Sequence, residues 1–157
     1  MSSKIADNIK RNRVAYTFLV ILIVAFSAYL LGLRENSVTF HTEIGPVTIA
    51  AEIADEQGEW VQGLSGRETL GEKSGMLFVF PVPDRYAFWM AGMKISLDII
   101  FVSQDNRIVD IARDLQPCVP EQCTTVVPGS AARYVVEVNA GFAERYGLRI
   151  GDEVEIK

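Results

Sequence analysis

The chain of 157 residues is long enough for one packed core and too short for two domains of ordinary size, so we expect one globular domain with an appendage. Its charges are unevenly divided. Residues 1–34 carry five basic and one acidic side chain, a net charge of +4, whereas residues 35–157 carry 10 basic and 19 acidic ones, a net charge of −9. An acidic domain repels phosphate backbones, so the composition argues against nucleic-acid binding.

The appendage contains an uncharged segment, VAYTFLVILIVAFSAYLLGL, at residues 14–33. A helix of this length spans roughly 30 Å, the thickness of a bilayer hydrocarbon core, so the segment predicts a transmembrane anchor in the cell (inner) membrane. The basic tail of residues 1–13 precedes it. Because cationic residues favour the cytoplasmic side, we expect the N-terminus in the cytoplasm and the domain in the periplasm or outside the cell.

A cleavable signal peptide is the alternative interpretation of this segment. Its apolar stretch would be residues 14–24, with the small side chains Ala25 and Ser27 before the cleavage site. Cleavage would release the domain as a secreted protein. Both interpretations export it.

A polar hinge at residues 34–37 leads into the domain at residues 38–157. Its strands are predicted from short apolar or alternating runs that are rich in aromatic and β-branched residues and bounded by Gly, Pro, Asp or Ser. These runs lie at residues 38–42, 47–53, 75–80, 86–90, 97–102, 107–113, 133–139 and 153–156. Turns between them are predicted at Gly45-Pro46 and Asp105-Asn106.

Two short helices are predicted between the strands. One begins at Asp55, which can cap a helix, and the other covers residues 141–146 before Gly147. Many short strands with two brief helices predict a mainly β domain, folded as a compact antiparallel barrel or sandwich. Closely spaced turns favour antiparallel neighbours over βαβ crossovers.

Six short sequence motifs follow one another along this domain. They are GLSGR at 63–67, GMLFVF at 75–80, FWM at 88–90, LDIIF at 97–101, Pro117-Cys118 with Cys123, and RYVVEVNAG at 133–141. Together they resemble the signatures of the domain-of-unknown-function family 192, over about residues 38–156. The resemblance implies a mostly β, barrel-like, often exported fold without an established activity. Residues 91–96, AGMKIS, depart from the Lys-Asn-Thr-like, Pro-containing segment of that family, so any pocket shaped by them is expected to differ in specificity.

The two cysteines, Cys118 and Cys123, lie outside the membrane in the predicted topology. The four residues between them can fold back, so we predict a disulfide that closes a short loop in an oxidising compartment. A redox pair is the alternative, although the spacing is not Cys-x-x-Cys and no helix start follows to lower a thiol pKa. A metal site lacks ligands, since the single histidine, His41, is distant in sequence. No cofactor is predicted.

Several charged or amide side chains lie among apolar strand residues, where they are costly unless paired. One interpretation is a structural ion pair of Asp98 with Arg67 or Arg133, with Glu137 solvated. The other is a pocket for a small polar ligand, such as a saccharide stacked on Trp89, although Trp89 alone also suits a core. The candidate ligand-binding residues are Arg67, Trp89, Met90, Asp98, Arg133 and Asn139.

The sequence contains no recognisable catalytic motif. It has no nucleophile elbow and no phosphate-binding glycine loop, and it contains a single histidine. We therefore expect a binding module for a cell-envelope small molecule, a saccharide or another envelope protein.

Two other functions stay open. An envelope hydrolase would use two of the carboxylates Glu52, Asp98 and Glu137 at glycosidase spacing. A copper-handling module would use thioethers, because these bind Cu(I). Its ligands would be Met76, Met90, Met93 and His41, although methionine is more often core filler.

Overall fold

The computed structural model describes residues 19–23 and 36–157. Residues 19–23, inside the predicted membrane anchor, are helical. Among the described residues, no helix is long and apolar enough to cross a bilayer. The remainder of the predicted anchor and the basic tail at 1–13 lie outside the described residues, so the anchor stays a prediction.

Residues 36–157 contain seven strands and only short helices, which confirms the predicted mainly β fold. The strands are β1 Ser37–Thr42, β2 Gly45–Ala54, β3 Ser74–Asp84, β4 Leu97–Val102, β5 Ile108–Leu115, β6 Ala132–Asn139 and β7 Glu153–Ile156. The helices are α1 Gln57–Gln62 and α2 Phe142–Arg145, and Pro120–Gln122 form a 3₁₀ turn. The predicted strand at residues 86–90 is wrong. Phe88 forms only an isolated bridge to Val126, because Phe88 and Met90 are buried by packing rather than by pairing in the sheet.

All seven strands belong to one sheet in the order β5-β4-β6-β3-β2-β1-β7. The sheet curls until its two ends approach each other: the Ile108 N–H donates to the Asp152 carbonyl (3.0 Å) and the Val154 N–H to the Asn106 carbonyl (2.9 Å). This curled sheet agrees with the predicted barrel-like fold in outline.

The predicted preference for antiparallel neighbours fails at one pair. β2 and β3 run parallel, with Ala50 opposite Ser74 and Ala54 opposite Phe78. A parallel pair needs a crossover of about a dozen residues or more, and residues 55–73 with α1 provide it.

The first hairpin also turns earlier than expected. Glu43 and Ile44 form the turn, while Gly45, at φ 121°, already pairs with Thr42 in the sheet. The predicted turn at Asp105-Asn106 is confirmed, and Asn106 has the expected positive φ of 56°.

The sheet separates two apolar clusters, because successive strand residues point to opposite faces. We call the side packed against helix α2 the α2 face; its members include Leu77, Ile100, Val136, Val138 and Phe142. The opposite side, covered by Trp60 and Leu64, is the α1 face; its members include Met76, Phe78, Ile99, Phe101 and Val135. Strand β4 is buried along its whole length because both faces are covered.

Candidate functional site

A pocket of about 200 Å³ opens on the α1 face, between α1, strand β3 and the segment after it. Aromatic and small polar side chains line it, with one acid. The lining residues are Gln57, Trp60, Val61, Gln62, Gly63, Leu64, Ser65, Phe78, Phe80, Tyr86, Ala87, Phe88, Trp89, Met93 and Glu137. Among these described lining residues there is no Lys, Arg or His.

Helix α1 forms the roof of the pocket and is tied to the residues that precede it. At its start, the Glu59 carboxylate accepts the N–H groups of Asp55 (2.9 Å) and Glu56 (3.1 Å), a capping box. The Trp60 indole N–H donates to the Ala54 carbonyl at 3.0 Å, which ties the helix to the end of β2. The roof is therefore held to the sheet by its own side chains.

Gly63 ends α1 with a backbone that other residues adopt only under strain, φ 46° and ψ −138°. A Cβ at this position would lie 3.3 Å from Cζ of Phe78 and 3.7 Å from Oε2 of Glu137. The glycine thus lets the chain pass directly over the floor of the pocket. Leu64, the next residue, is fully buried.

The walls are built from aromatic rings in contact with one another. Phe80 and Tyr86 stack with centroids 3.7 Å apart, and Trp60 packs against Phe80 at 5.1 Å. Phe88 meets Phe78 edge-on at 5.2 Å. Trp89 is 57% exposed and stands at the mouth, so one indole face remains accessible.

Glu137 lies at the floor of this pocket, and the prediction that it is solvated is wrong. It does point away from Val136 and Val138, as the alternation along β6 indicates, but α1 and Leu64 cover that face too. The residue is 5% exposed. Its Oε2 atom has no hydrogen-bond partner among the described residues.

Burial raises the pKa of Glu137 to about 7, although a hydrogen bond from the Leu64 backbone opposes the shift. The carboxyl group is therefore close to half protonated at neutral pH. A group poised in this way is common at functional sites, and here it faces a cavity.

The predicted ion pair of Asp98 is also wrong. Asp98 is fully buried on the α2 face and accepts the backbone N–H groups of Ala143 (2.8 Å) and Asp114 (2.8 Å). It therefore fixes helix α2 and strand β5 to the sheet. Arg67 instead pairs through both guanidinium NH₂ groups with Glu52, and this pairing lowers the pKa of the Glu52 carboxyl.

The other predicted site residues are dispersed. Asn139 donates to the carbonyls of Leu70 (3.1 Å) and Gly71 (3.0 Å), holding the segment before β3. Met90 is buried in the α1-face cluster, and the Arg133 guanidinium lies 5.6 Å from the centroid of the Tyr134 ring. Of the six candidate ligand-binding residues, Trp89 alone lines the aromatic pocket.

The residues of the hydrolase hypothesis occupy two faces. Glu52 and Glu137 lie in one row across the sheet, each in register with Met76, and so project from the α1 face. Asp98 projects from the α2 face.

The residues of the copper hypothesis are divided as well. Met76 and Met90 are core side chains, and Met93 lines the pocket. His41 is on β1, with Nε2 3.9 Å from the Glu155 carboxylate. No group of three or more His, Cys, Asp or Glu side chains suited to a metal ion occurs in the part of the chain that the structure describes.

The predicted disulfide is confirmed: Cys118 and Cys123 are bonded, with Cα atoms 5.3 Å apart. Its loop borders the pocket wall, because the Cys118 N–H donates to the Met90 carbonyl (3.3 Å). Phe88 and Val126 exchange two further backbone hydrogen bonds, of 2.9 and 2.7 Å. The cross-linked loop thus holds the segment that carries Trp89.

This domain is similar in sequence to other proteins. A UPF0127 protein of Pyrococcus abyssi (strain GE5 / Orsay) is 30% identical over 82 residues, 51% of this chain. The match spans 65% of that relative, less than two thirds of its length.

Two solved structures share the fold. A protein of unknown function from Novosphingobium aromaticivorans DSM 12444 has a TM-score of 0.72 and 36% identity, over 76% of this chain and 83% of its own. One from Sinorhizobium meliloti 1021, described as a "putative transcription regulator", has a TM-score of 0.72 and 28% identity, over 77% of this chain and 92% of its own. The sequence pattern of DUF192, the family described as Uncharacterized ACR, matches residues 38–156, which include all of the pocket's lining residues. The chain therefore belongs to the DUF192 family.

Proposed function

We propose that this domain is a binding module that takes a small ligand into the pocket beneath α1. The observation that carries the proposal is the Glu137 carboxyl, which is buried, has no hydrogen-bond partner at Oε2, and faces an aromatic-lined cavity. Leaving a buried acceptor without a partner costs about 1–3 kcal/mol. A ligand that hydrogen-bonds to Oε2 removes this cost. If the acid had a purely structural role, the cost would remain.

The dimensions of the pocket limit the size of its ligand. At about 200 Å³ it is smaller than the roughly 300–1,000 Å³ of sites for drug-sized molecules. One ring, or one short branched chain, therefore fits inside. The exposed face of Trp89 at the mouth extends the site and supports stacking of a flat or apolar group.

We place this activity in the cell envelope. The uncharged segment at residues 14–33 and the basic tail before it support an anchor with the domain outside the cytoplasm. The disulfide between Cys118 and Cys123 fits an oxidising compartment. The description of the Sinorhizobium protein does not lead us to propose nucleic-acid binding, because residues 35–157 carry a net charge of −9.

Intrinsic fluorescence tests the proposal with little ambiguity. The chain has two tryptophans, Trp60 and Trp89, and both line the pocket. The full chain in detergent micelles is screened with amines, monosaccharides and peptidoglycan fragments, and we expect a saturable change in emission together with a raised melting temperature. Trp89→Ala should weaken binding, while Ile44→Ala, at an exposed turn of the first hairpin, should not. Absence of any saturable change across the screen contradicts the proposal.

An envelope hydrolase is a second candidate, and one observation favours it. Glu137 and Glu52 project from the same face with their pKa values moved in opposite directions, raised to about 7 in Glu137 and lowered by Arg67 in Glu52. Two strand spacings separate their Cα atoms by about 10 Å, which is compatible with the wider carboxyl separation of inverting glycosidases. Glu137 lines the pocket under α1, and Glu52 lines the neighbouring depression. Hydrolysis of aryl glycosides by the wild-type chain would establish this activity if Glu137→Gln abolishes it and Glu52→Gln does so as well. Turnover that either variant retains rules it out.

A further inference from the structure

We infer that the pocket selects an organic cation, specifically a small alkylammonium group. This inference rests on the proposed function and assigns the chemical class of the ligand. It follows from the charges, the hydrogen-bonding capacity and the ring faces of the lining residues.

The charge of the lining has one sign. Glu137 is the acid at the floor, and no basic side chain is present among the described residues of the lining. The other titratable group in the lining is Tyr86, whose hydroxyl donates to the Val82 carbonyl at 2.8 Å. Arg67 lines a neighbouring depression with Gln62 and Gly63, and there it is paired with Glu52. An anionic ligand would therefore meet a carboxyl group without a compensating cation.

Most neutral polar groups of the lining are already bonded within the protein. The Trp60 indole N–H donates to Ala54, the Gln62 amide donates to the Ser65 carbonyl (3.2 Å), and the Ser65 hydroxyl donates to the Ala91 carbonyl (3.4 Å). A saccharide presents several hydroxyl groups, each of which is costly to bury without a partner. One free carboxylate oxygen instead suits a ligand with one cationic centre and an apolar surround.

The walls supply the rest of the recognition. Aromatic faces attract cations within about 6 Å of the ring centroid, Trp most strongly, with roughly 0.5–2 kcal/mol per contact. Two tryptophans, Tyr86 and three phenylalanines border the same small volume as the Glu137 carboxyl. Alkyl groups on the nitrogen would pack against these rings while the charge remains close to the carboxylate. The hydrogen bond to Oε2 of Glu137 would come from an ammonium N–H or, where the nitrogen is quaternary as in choline, from a ligand hydroxyl group.

Cation binding must be coupled to the ionisation of Glu137. Burial gives this group a pKa of about 7, and a bound cation stabilises its charged form. Binding near neutral pH therefore releases a proton. Affinity should rise as pH increases through 7 and level off above it, and it should fall by up to about tenfold per pH unit below 6.

The test compares choline with its uncharged carbon isostere, 3,3-dimethyl-1-butanol, by tryptophan fluorescence of the full chain in detergent micelles. At pH 8 we expect choline to bind at least tenfold more tightly than the isostere. We also expect it to bind several-fold, and up to about tenfold, more tightly at pH 8 than at pH 6. Glu137→Gln should remove both differences. Glu43→Gln, which deletes a surface carboxylate paired with Arg149, should preserve them.

The outcomes distinguish the two proposals. Equal affinities for choline and the isostere, or choline binding that is insensitive to pH between 6 and 8 in the wild-type chain, overturn the cation assignment while the binding function stands. If a monosaccharide binds and choline does not, the cation assignment is likewise overturned while the binding function stands. If no probe produces a saturable change, both proposals fail. The pH comparison uses the wild-type chain, so it decides the matter even if Glu137→Gln does not fold.

Discussion

Replacing Glu137 by glutamine should stabilise the domain in a pH-dependent manner. The pKa of Glu137 is raised from 4.5 to about 7 by burial, so the folded state retains a proton that the unfolded chain releases. Between these two values the wild-type domain loses stability as pH rises, because ionisation is easier in the unfolded chain. The interval corresponds to roughly 3 kcal/mol, at about 1.36 kcal/mol per pH unit.

Glutamine does not titrate, so this loss should be absent in Glu137→Gln. Near pH 4.5 the two proteins differ by a fixed amount that reflects the fit of the amide. By pH 8 the variant should have gained roughly 3 kcal/mol relative to the wild type, with no further change at higher pH.

Urea denaturation measures this difference. A fragment of residues 36–157 contains all seven strands and both apolar clusters, and its tryptophans report unfolding. Unfolding midpoints are compared at pH 4.5, 6 and 8 for the wild type, Glu137→Gln and the surface control Glu43→Gln. A stability difference for Glu137→Gln that stays constant from pH 4.5 to 8 would refute the argument, since it would mean that Glu137 is solvated in the folded state.

Three further changes test the parts that support the pocket. Asp98→Asn should destabilise the fragment by about 1–3 kcal/mol in urea, because one of the two backbone N–H groups that donate to Asp98 loses its acceptor; an unchanged midpoint contradicts this role. Gly63→Ala should destabilise the fragment by about 1–3 kcal/mol, because residue 63 has a positive φ and an added Cβ would contact the floor of the pocket. Gly58→Ala, in open space on α1, should be neutral or stabilising. Equal effects of the two substitutions would contradict this argument. Reducing the disulfide between Cys118 and Cys123 should lower the free energy of unfolding by roughly 2 kcal/mol and increase acrylamide quenching of tryptophan emission. Unchanged quenching would contradict the role of this loop in holding the pocket wall.

Strand positions were the most predictable part of this fold. Strands β4 and β7 occupy their predicted bounds, residues 97–102 and 153–156, because each is a short apolar or alternating run that begins directly after a turn residue. The run at residues 86–90 has the same composition but does not pair in the sheet. An apolar run does not by itself indicate pairing in a sheet. Here Phe88 and Met90 are buried by packing on the α1 face, while Trp89 is exposed.

The parallel pairing of β2 and β3 depends on where the chain goes after α1, and local sequence does not contain that information. A short helix between two strands is compatible with a hairpin-like return or with a crossover. The segment of residues 55–73 is long enough for either. Tertiary packing of Trp60 and Leu64 on the sheet decides for the crossover.

The surroundings of Glu137 are only partly determined by the local sequence. The alternation of β6 assigns its side chain to the face opposite Val136 and Val138, and the structure agrees. Whether that face meets water depends on α1, which is distant in sequence. An acid between two valines, together with the dense aromatic residues at 78–89, was the available signal for a pocket. Asp98 gave a similar signal, but its partners are backbone N–H groups, which a sequence pattern does not reveal.

The most direct measurement is a ¹³C NMR titration of the Glu137 side-chain carboxyl, with and without choline. A midpoint near 7 in the free protein, displaced to lower pH by choline, is the result that a buried acid in a cation-binding pocket requires. A midpoint near 4.5, or one that saturating choline leaves unchanged, would contradict the account.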